Sequence, residues 1–259
     1  MGRGSSGASG GAGGGGGGVL PRTVNQVTPP TPQQVANGNV LPGGGVAFDD
    51  FMNMTDDEKA DVVDTALQTG VPIFLDDSGL QRFAYFTGMS GKPNVVSDSQ
   101  LDKMSGHELF RTVNDAYDAR KDIGYTANDI VKQISSGDFT MYSDSGGSAY
   151  GKAIYFASSV SSSAGYAGRG ATMMRAKITG GKSISDSAAR QAYHNAYSRG
   201  DKLAVACSKA GYDSASNLYT LAKGYDVITT SDYHMVLNRK CLTVSSKTKT
   251  GITYGTRTW

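Results

Sequence analysis

The opening 45 residues set the first limit on what this chain can fold into. Glycine and serine dominate Gly2–Gly18, and Thr28–Gln34 adds prolines and polar residues. Such a stretch has too little apolar surface to offset the entropy of ordering the chain. Residues 1–45 are therefore expected to be a disordered Gly/Ser/Pro-rich tail. The chain is still long enough for one sizeable domain with appendages, or for two small ones.

Ordered structure is expected to begin near Phe48. Thr55-Asp-Asp-Glu58 has the spacing of a capping box, and Ala60, Val62, Val63, Ala66 and Leu67 follow at helical intervals, which predicts a helix over 55–69. A short helical stretch is expected at Leu80–Phe86, then a polar link through Lys92–Ser99. Residues 46–105 thus read as a small helical region.

After His107 the pattern becomes mixed. Strand-like runs occur at Leu109–Val113, Phe139–Tyr142, Gly151–Ala157, Ala171–Ile178, Tyr225–Ile228, Asp232–Leu237 and Leu242–Val244. Helical patterns occur at Ala127–Ile134 and, as one long polar helix, at Asp186–Lys209. This alternation predicts an α+β domain over 106–259. Gly251–Trp259 reads either as a last edge strand or as a frayed tail.

Several function classes are disfavoured. The formal net charge is +2, with Lys and Arg dispersed along the chain, which argues against a dedicated nucleic-acid surface. Cys207 and Cys241 lack CxxC spacing and His107, His194 and His234 are scattered, so no zinc pattern is readable. No apolar run approaches the roughly 18–20 residues that cross a bilayer, and no export signal is evident, so a soluble protein without a membrane partner is expected. Gly181-Lys-Ser183 resembles the end of a phosphate-binding loop, but Ala176 stands where that motif needs its first glycine, and a plain turn is the expectation. The glycines at 146, 147 and 151 fit neither a nucleophile elbow nor a dinucleotide fingerprint.

The only glutamates are Glu58 and Glu108. Carboxylate chemistry beyond residue 108 therefore falls to aspartate. One dispersed constellation stands out: Arg111 in a strand, Tyr155 and Tyr166 bracketing Ser161-Ser162-Ser163, and Asp232 opening a late strand. Singly, a surface charge, two core aromatics and a turn cap would account for them. His234 lies beside the candidate acid.

Together these segments resemble the ADP-ribosyltransferase superfamily. Gly151-Lys-Ala-Ile-Tyr-Phe-Ala157 is very similar to that family's Gly-Lys-Gly-Ile-Tyr-Phe-Ala strand. A second tyrosine eleven positions after the first, and a serine three before it, match Tyr166 and Ser163. Arg111 falls where the family carries a strand-borne His or Arg, and Ser231-Asp-Tyr-His-Met-Val236 is similar to its Asn-Glu-Tyr-Ile-Val-Tyr segment, which puts Asp232 in the place of the catalytic glutamate.

The resemblance spans 109–244 and implies a split mixed/antiparallel sheet that holds NAD and passes ADP-ribose to a protein acceptor. It implies that Tyr166 stacks on nicotinamide beside Tyr155. Ser163 and the backbone near Thr112 would orient the carboxamide, Arg111 would meet phosphate or ribose, and Asp232 would serve the reacting bond. Thr230 stands where the family uses Glu or Gln to select arginine-like acceptors, so arginine is a less expected acceptor. Residues 48–108 resemble the leading region of phage-encoded structural proteins that carry such domains, which implies a virion or host-cytoplasm setting and a host or virion acceptor. The alternatives are a non-catalytic phage virion protein that retains the fold, and simple NAD hydrolysis.

Overall fold

The computed structural model describes residues 46–69, 73–75, 92–118, 123–136, 150–247 and 249–250. The readings of a tail over 1–45, a helix at Leu80–Phe86, a strand at Phe139–Tyr142 and a terminal element at Gly251–Trp259 lie outside them.

The fold is α+β, built on a mixed sheet. Its strands are β3 (Asn94–Val96), β4 (Glu108–Val113), β7 (Ile154–Ala157), β8 (Thr172–Ile178), β9 (Ser183–Ser185), β10 (Val227–Thr229), β11 (Tyr233–Val236), β12 (Leu242–Ser245) and β13 (Lys249–Thr250). Across the sheet the order is β3-β12-β8-β4-β7-β11-β10-β9, with β13 also paired to β8. The two outer pairings, β12 with β3 and β10 with β9, are parallel, and the inner ones are antiparallel. Two small pairs stand apart, β1 (Val46–Ala47) with β2 (Phe74–Leu75) and β5 (Ala116–Asp118) with β6 (Ile123–Tyr125).

Strand alternation sends side chains into two cores. On one face Leu109, Val113, Ile154, Phe156, Met174, Val227 and Val236 pack with Ala127 and Ile134 of α4 (Ala127–Ser136). On the other, Ile228 and Met235, the sheet neighbours of Val227 and Val236, join a helical core. That core is supplied by α6 (Asp186–Ser198), α7 (Lys202–Ser208) and α8 (Tyr212–Ala222), and by α1 (Phe48–Asn53) and α2 (Asp56–Thr69).

Helix α2 begins where the capping box places it: the Thr55 amide donates to Glu58 Oε2 at 2.8 Å and the Glu58 amide to Thr55 Oγ1 at 3.3 Å. The single long helix expected over 186–209 is two helices. Gly200, at φ +74°, ends α6 in the left-handed conformation that glycine tolerates, and Asp201 caps α7 by accepting from the Ala204 amide at 2.9 Å. Helix α8 escapes a hydrophobic-pattern reading because its buried side includes Ser216, Asn217 and Thr220 as well as Ala215, Leu218 and Leu221. Asn217 uses that burial, donating to the carbonyls of Tyr150 (2.8 Å) and Lys152 (3.3 Å) and so fixing the approach to β7.

The polar link of the sequence contains β3 and helix α3 (Asp98–Lys103), the latter closed by a Ser97/Gln100 capping box. Arg175 on β8 ties α3 to the sheet through Asp98 at 3.2 Å and Asp102 at 2.6 Å, and it also pairs with Glu108 on the neighbouring β4. Residues 46–69 share one core with the C-terminal helices. Phe51 and Val63 are fully buried among them, and the buried Lys59 donates to the Ala222 carbonyl at 3.1 Å, completing the end of α8.

Candidate functional site

The sheet opens between its two middle strands. β4 pairs with β8 along all six residues, from Glu108 opposite Lys177 to Val113 opposite Thr172, but with β7 only where Phe110 faces Ala157. On its other side β7 is paired along its whole length with β11. One row, Phe110, Ala157 and Tyr233, thus crosses three strands that lie far apart in sequence, and it is the one row at which β4 and β7 are paired.

Side chains take over where the ladder stops. Arg111 Nη1 donates to the Tyr155 carbonyl at 2.7 Å. Burial of the guanidinium pushes its pKa down to about 10, against a smaller opposing influence of Tyr155, so it remains a cation at neutral pH. Thr112 Oγ1 lies 2.8 Å from both the carbonyl and the hydroxyl of Ser163. The two contacts are compatible if Thr112 donates to the carbonyl and accepts from the hydroxyl.

Ser163 is 2 % exposed and belongs to the short helix α5 (Val160–Ala164), whose N-terminus is capped by Ser159 accepting from the Ser162 amide at 3.1 Å. The serine-rich run therefore has two functions, a cap at Ser159 and a bridge to β4 at Ser163. Tyr166, just beyond α5, has its amide on the Ser163 carbonyl at 3.1 Å and is 76 % exposed.

Tyr155 points elsewhere. Its hydroxyl donates to the Gly151 carbonyl at 2.5 Å, and its ring lies 6.2 Å from Tyr233, which in turn lies 5.2 Å from Tyr150. Among the described residues, no ring contact joins Tyr155 to Tyr166. Tyr155 contributes to the opening through its backbone carbonyl, the acceptor for Arg111.

Asp232 occupies the tip of the β10–β11 hairpin, one residue ahead of the strand. Thr229 pairs with His234 and the Thr230 amide donates to the Tyr233 carbonyl at 2.9 Å, which closes the turn. Thr230 Oγ1 accepts from the amides of Asp232 (3.2 Å) and Tyr233 (3.0 Å), giving this threonine a turn-forming role. The Asp232 carbonyl accepts from the Ser158 amide at 3.0 Å, so the exposed aspartate sits directly against the end of β7. His234 Nδ1 lies 3.4 Å from Ser158 Oγ, and burial, reinforced by His107, holds the imidazole pKa below its ordinary value.

The structure thus joins Arg111 to Tyr155, Thr112 to Ser163 and Asp232 to the strand that carries Tyr155, while leaving the two tyrosine rings apart. Sequence reading passed over Asn114 and Ser158. Asn114 was legible as a polar residue ending a strand, whereas Ser158 gains meaning only from its position across from Asp232.

The other candidates resolve into structural parts. Gly181 sits at φ +79° in the β8–β9 turn, where a Cβ would press on Asp226 and Cys241, and the Lys182 amide donates to Asp226 Oδ2 at 2.8 Å. Cys207 and Cys241 are both buried, and burial pushes both thiols up, Cys241 to about 12, which keeps them protonated and poorly nucleophilic. Among the described residues no His, Cys, Asp or Glu cluster has the arrangement of a metal site. No protein-family model, curated protein or solved structure matches the chain.

Proposed function

We propose that the opening between β4 and β7 binds NAD and that the chain is a mono-ADP-ribosyltransferase acting on a protein acceptor. The observation that carries this reading is the adjacency of β4, β7 and β11. The three segments whose letters resemble the superfamily's three-part signature are neighbours in one sheet, although none follows another in sequence. The groups present also suit the ligand: an exposed tyrosine ring for a flat heterocycle, a hydroxyl pair for a carboxamide and a cation for phosphate or ribose oxygens.

NAD supplies a glycosidic bond with nicotinamide as its leaving group. Breaking it builds positive charge on the ribose, and a carboxylate held close gains value as that charge develops. Asp232 is the residue for that role. Tyr166 stacks on nicotinamide, Ser163 presents its hydroxyl to the carboxamide once Thr112 releases it, and Arg111 keeps the two lips of the opening at a fixed spacing while holding a positive charge inside it.

Aspartate is one methylene shorter than glutamate, and a misplacement of about 1 Å can cost roughly 100-fold in rate. That shortening, with the exposed position of Asp232 at a hairpin tip, favours one second reading, a protein that binds NAD without turning it over, as a virion component retaining the fold would. Incubation of the full chain with labelled NAD and a host lysate separates the two. Labelling of a protein band that disappears in Asp232→Ala supports transfer. Nicotinamide release without labelling identifies hydrolysis, and calorimetric binding with neither identifies the non-catalytic reading. No binding at millimolar NAD overturns both.

A further inference from the structure

We propose that Asn114 is a positioning residue that presets the loop carrying Tyr166 for a ligand, an inference that rests on the NAD-binding reading above. Asn114 directly follows β4 and grips the loop after α5 at two points. Its Nδ2 donates to the Tyr166 carbonyl at 2.8 Å, and its Oδ1 accepts from the Gly168 amide at 2.6 Å. One planar amide thereby satisfies a backbone acceptor and a backbone donor two residues apart, which fixes the loop's path as well as its distance.

The neighbouring residues reinforce that grip. The Asp115 amide donates to the Arg169 carbonyl at 2.9 Å, and Asp115 Oδ1 accepts from the Ala127 amide at 2.9 Å, anchoring the same corner to the start of α4. Two glycines of the loop lie close against this corner. A Cβ at Gly168 would come within 3.3 Å of the Asn114 side chain, and one at Gly170, which sits at φ +66°, would collide with the Asp115 carboxylate. Glycine is required at 170 by both conformation and space.

The consequence concerns binding cost. An exposed aromatic ring on a free loop must be ordered when a ligand stacks on it, and that ordering subtracts from affinity. Here the loop is pinned to β4 before any ligand arrives, next to the Thr112–Ser163 bridge on the same strand. Asn114 touches no reacting atom in this scheme. It acts through Tyr166.

A double-mutant cycle read by calorimetry with NAD on the full chain tests this. Asn114→Ala is expected to weaken NAD binding about tenfold in the wild-type background and to have no further effect in a Tyr166→Ala background. Unchanged affinity in Asn114→Ala overturns the proposal while leaving the NAD reading intact. An equal loss in both backgrounds also overturns it, because Asn114 would then act on something other than Tyr166. Failure of the wild-type chain to bind NAD removes the site reading and this proposal together. Should Asn114→Ala fail to fold, Asn114→Asp, which keeps the acceptor for Gly168 and loses the donor to Tyr166, enters the same cycle with the same two outcomes.

Discussion

Thr112 Oγ1 and the Ser163 hydroxyl are 2.8 Å apart, so the serine expected to hold a ligand is held by a neighbouring side chain. With the second contact to the Ser163 carbonyl, this threonine is the latch between β4 and α5. Thr112→Val keeps the shape and removes both bonds, leaving a nearly fully buried hydroxyl without that partner. The expected cost is about 1–3 kcal/mol, measurable by urea unfolding, whereas Thr112→Ser should recover most of it. A Thr112→Val protein as stable as wild type would remove the latch.

Asp232 is the opposite case, an exposed group at a turn tip whose backbone carries its structural bonds. Asp232→Ala should leave the unfolding midpoint nearly unchanged and abolish nicotinamide release, because the backbone amide that bonds Thr230 and the carbonyl that bonds Ser158 are both retained. Asp232→Glu restores the missing methylene and should raise the release rate, by up to the roughly 100-fold that about 1 Å of misplacement can cost. If Asp232→Glu is no faster than wild type while both bind NAD, reach is not what limits this site.

Much of the sheet was legible because its strands are short runs bounded by sharp breaks. Leu109–Val113, Ala171–Ile178 and Leu242–Val244 appear within one or two residues of β4, β8 and β12. Helix ends were less legible. The break at Gly200-Asp201 carried its own signal, a left-handed glycine followed by a capping aspartate, and the change from the polar run before it to the apolar Leu203–Cys207 after it marks the same boundary. Helix α8 was hidden for another reason. Ser216, Asn217 and Thr220 are buried, and a pattern that sorts residues into apolar-inside and polar-outside cannot register a polar residue buried to hold a backbone.

For the site, the letters located the strands but not the directions of the side chains. Tyr155 and Tyr166 are both tyrosines of the motif, yet one turns toward Tyr233 and the other stands open. Direction along a four-residue strand depends on register with its neighbours, and register is set by pairing across residues 154–157 and 233–236, far beyond any local window. Asn114 was partly legible, since Asn and Asp side chains just after a strand commonly bond backbone groups, but its partners Tyr166 and Gly168 lie more than fifty residues on.

The attachment of residues 46–69 combines two kinds of interaction, and their magnitudes differ. Asp49, Asp56, Asp57 and Asp64 each face a lysine of the C-terminal half: Lys240 at 3.3 Å, Lys223 at 2.7 Å, Lys202 at 2.7 Å and Lys209. These pairs lie largely in solvent, where pairing energy is small and screened by salt. The aromatic contact of Phe51 with Phe74, 4.7 Å between centroids and fully buried on both sides, is of another order. Phe51→Ala should cost about 3–5 kcal/mol in a denaturant titration. Asp64→Ala, or half-molar sodium chloride, should shift the midpoint only slightly. A large salt-induced loss would show that the charges, and not the aromatic core, hold the segment.

Acid sensitivity should trace in part to His234. Burial beside Ser158, with His107 nearby, lowers its folded pKa below the ordinary value near 6.5, so on acidification the unfolded chain takes up the proton first. Stability therefore falls as pH drops from the unfolded pKa through the folded one, and the slope has the sign of a group that binds more protons when unfolded. His234→Gln removes that titration and keeps a polar side chain beside Ser158. Melting temperatures between pH 7.5 and 5 should decline less steeply in His234→Gln than in wild type, with the curves closest above pH 7. Parallel curves across the whole range would place the acid sensitivity elsewhere. A steeper decline in the variant would mean that protonated His234 is stabilised in the fold, which would reverse the sign argued from its burial.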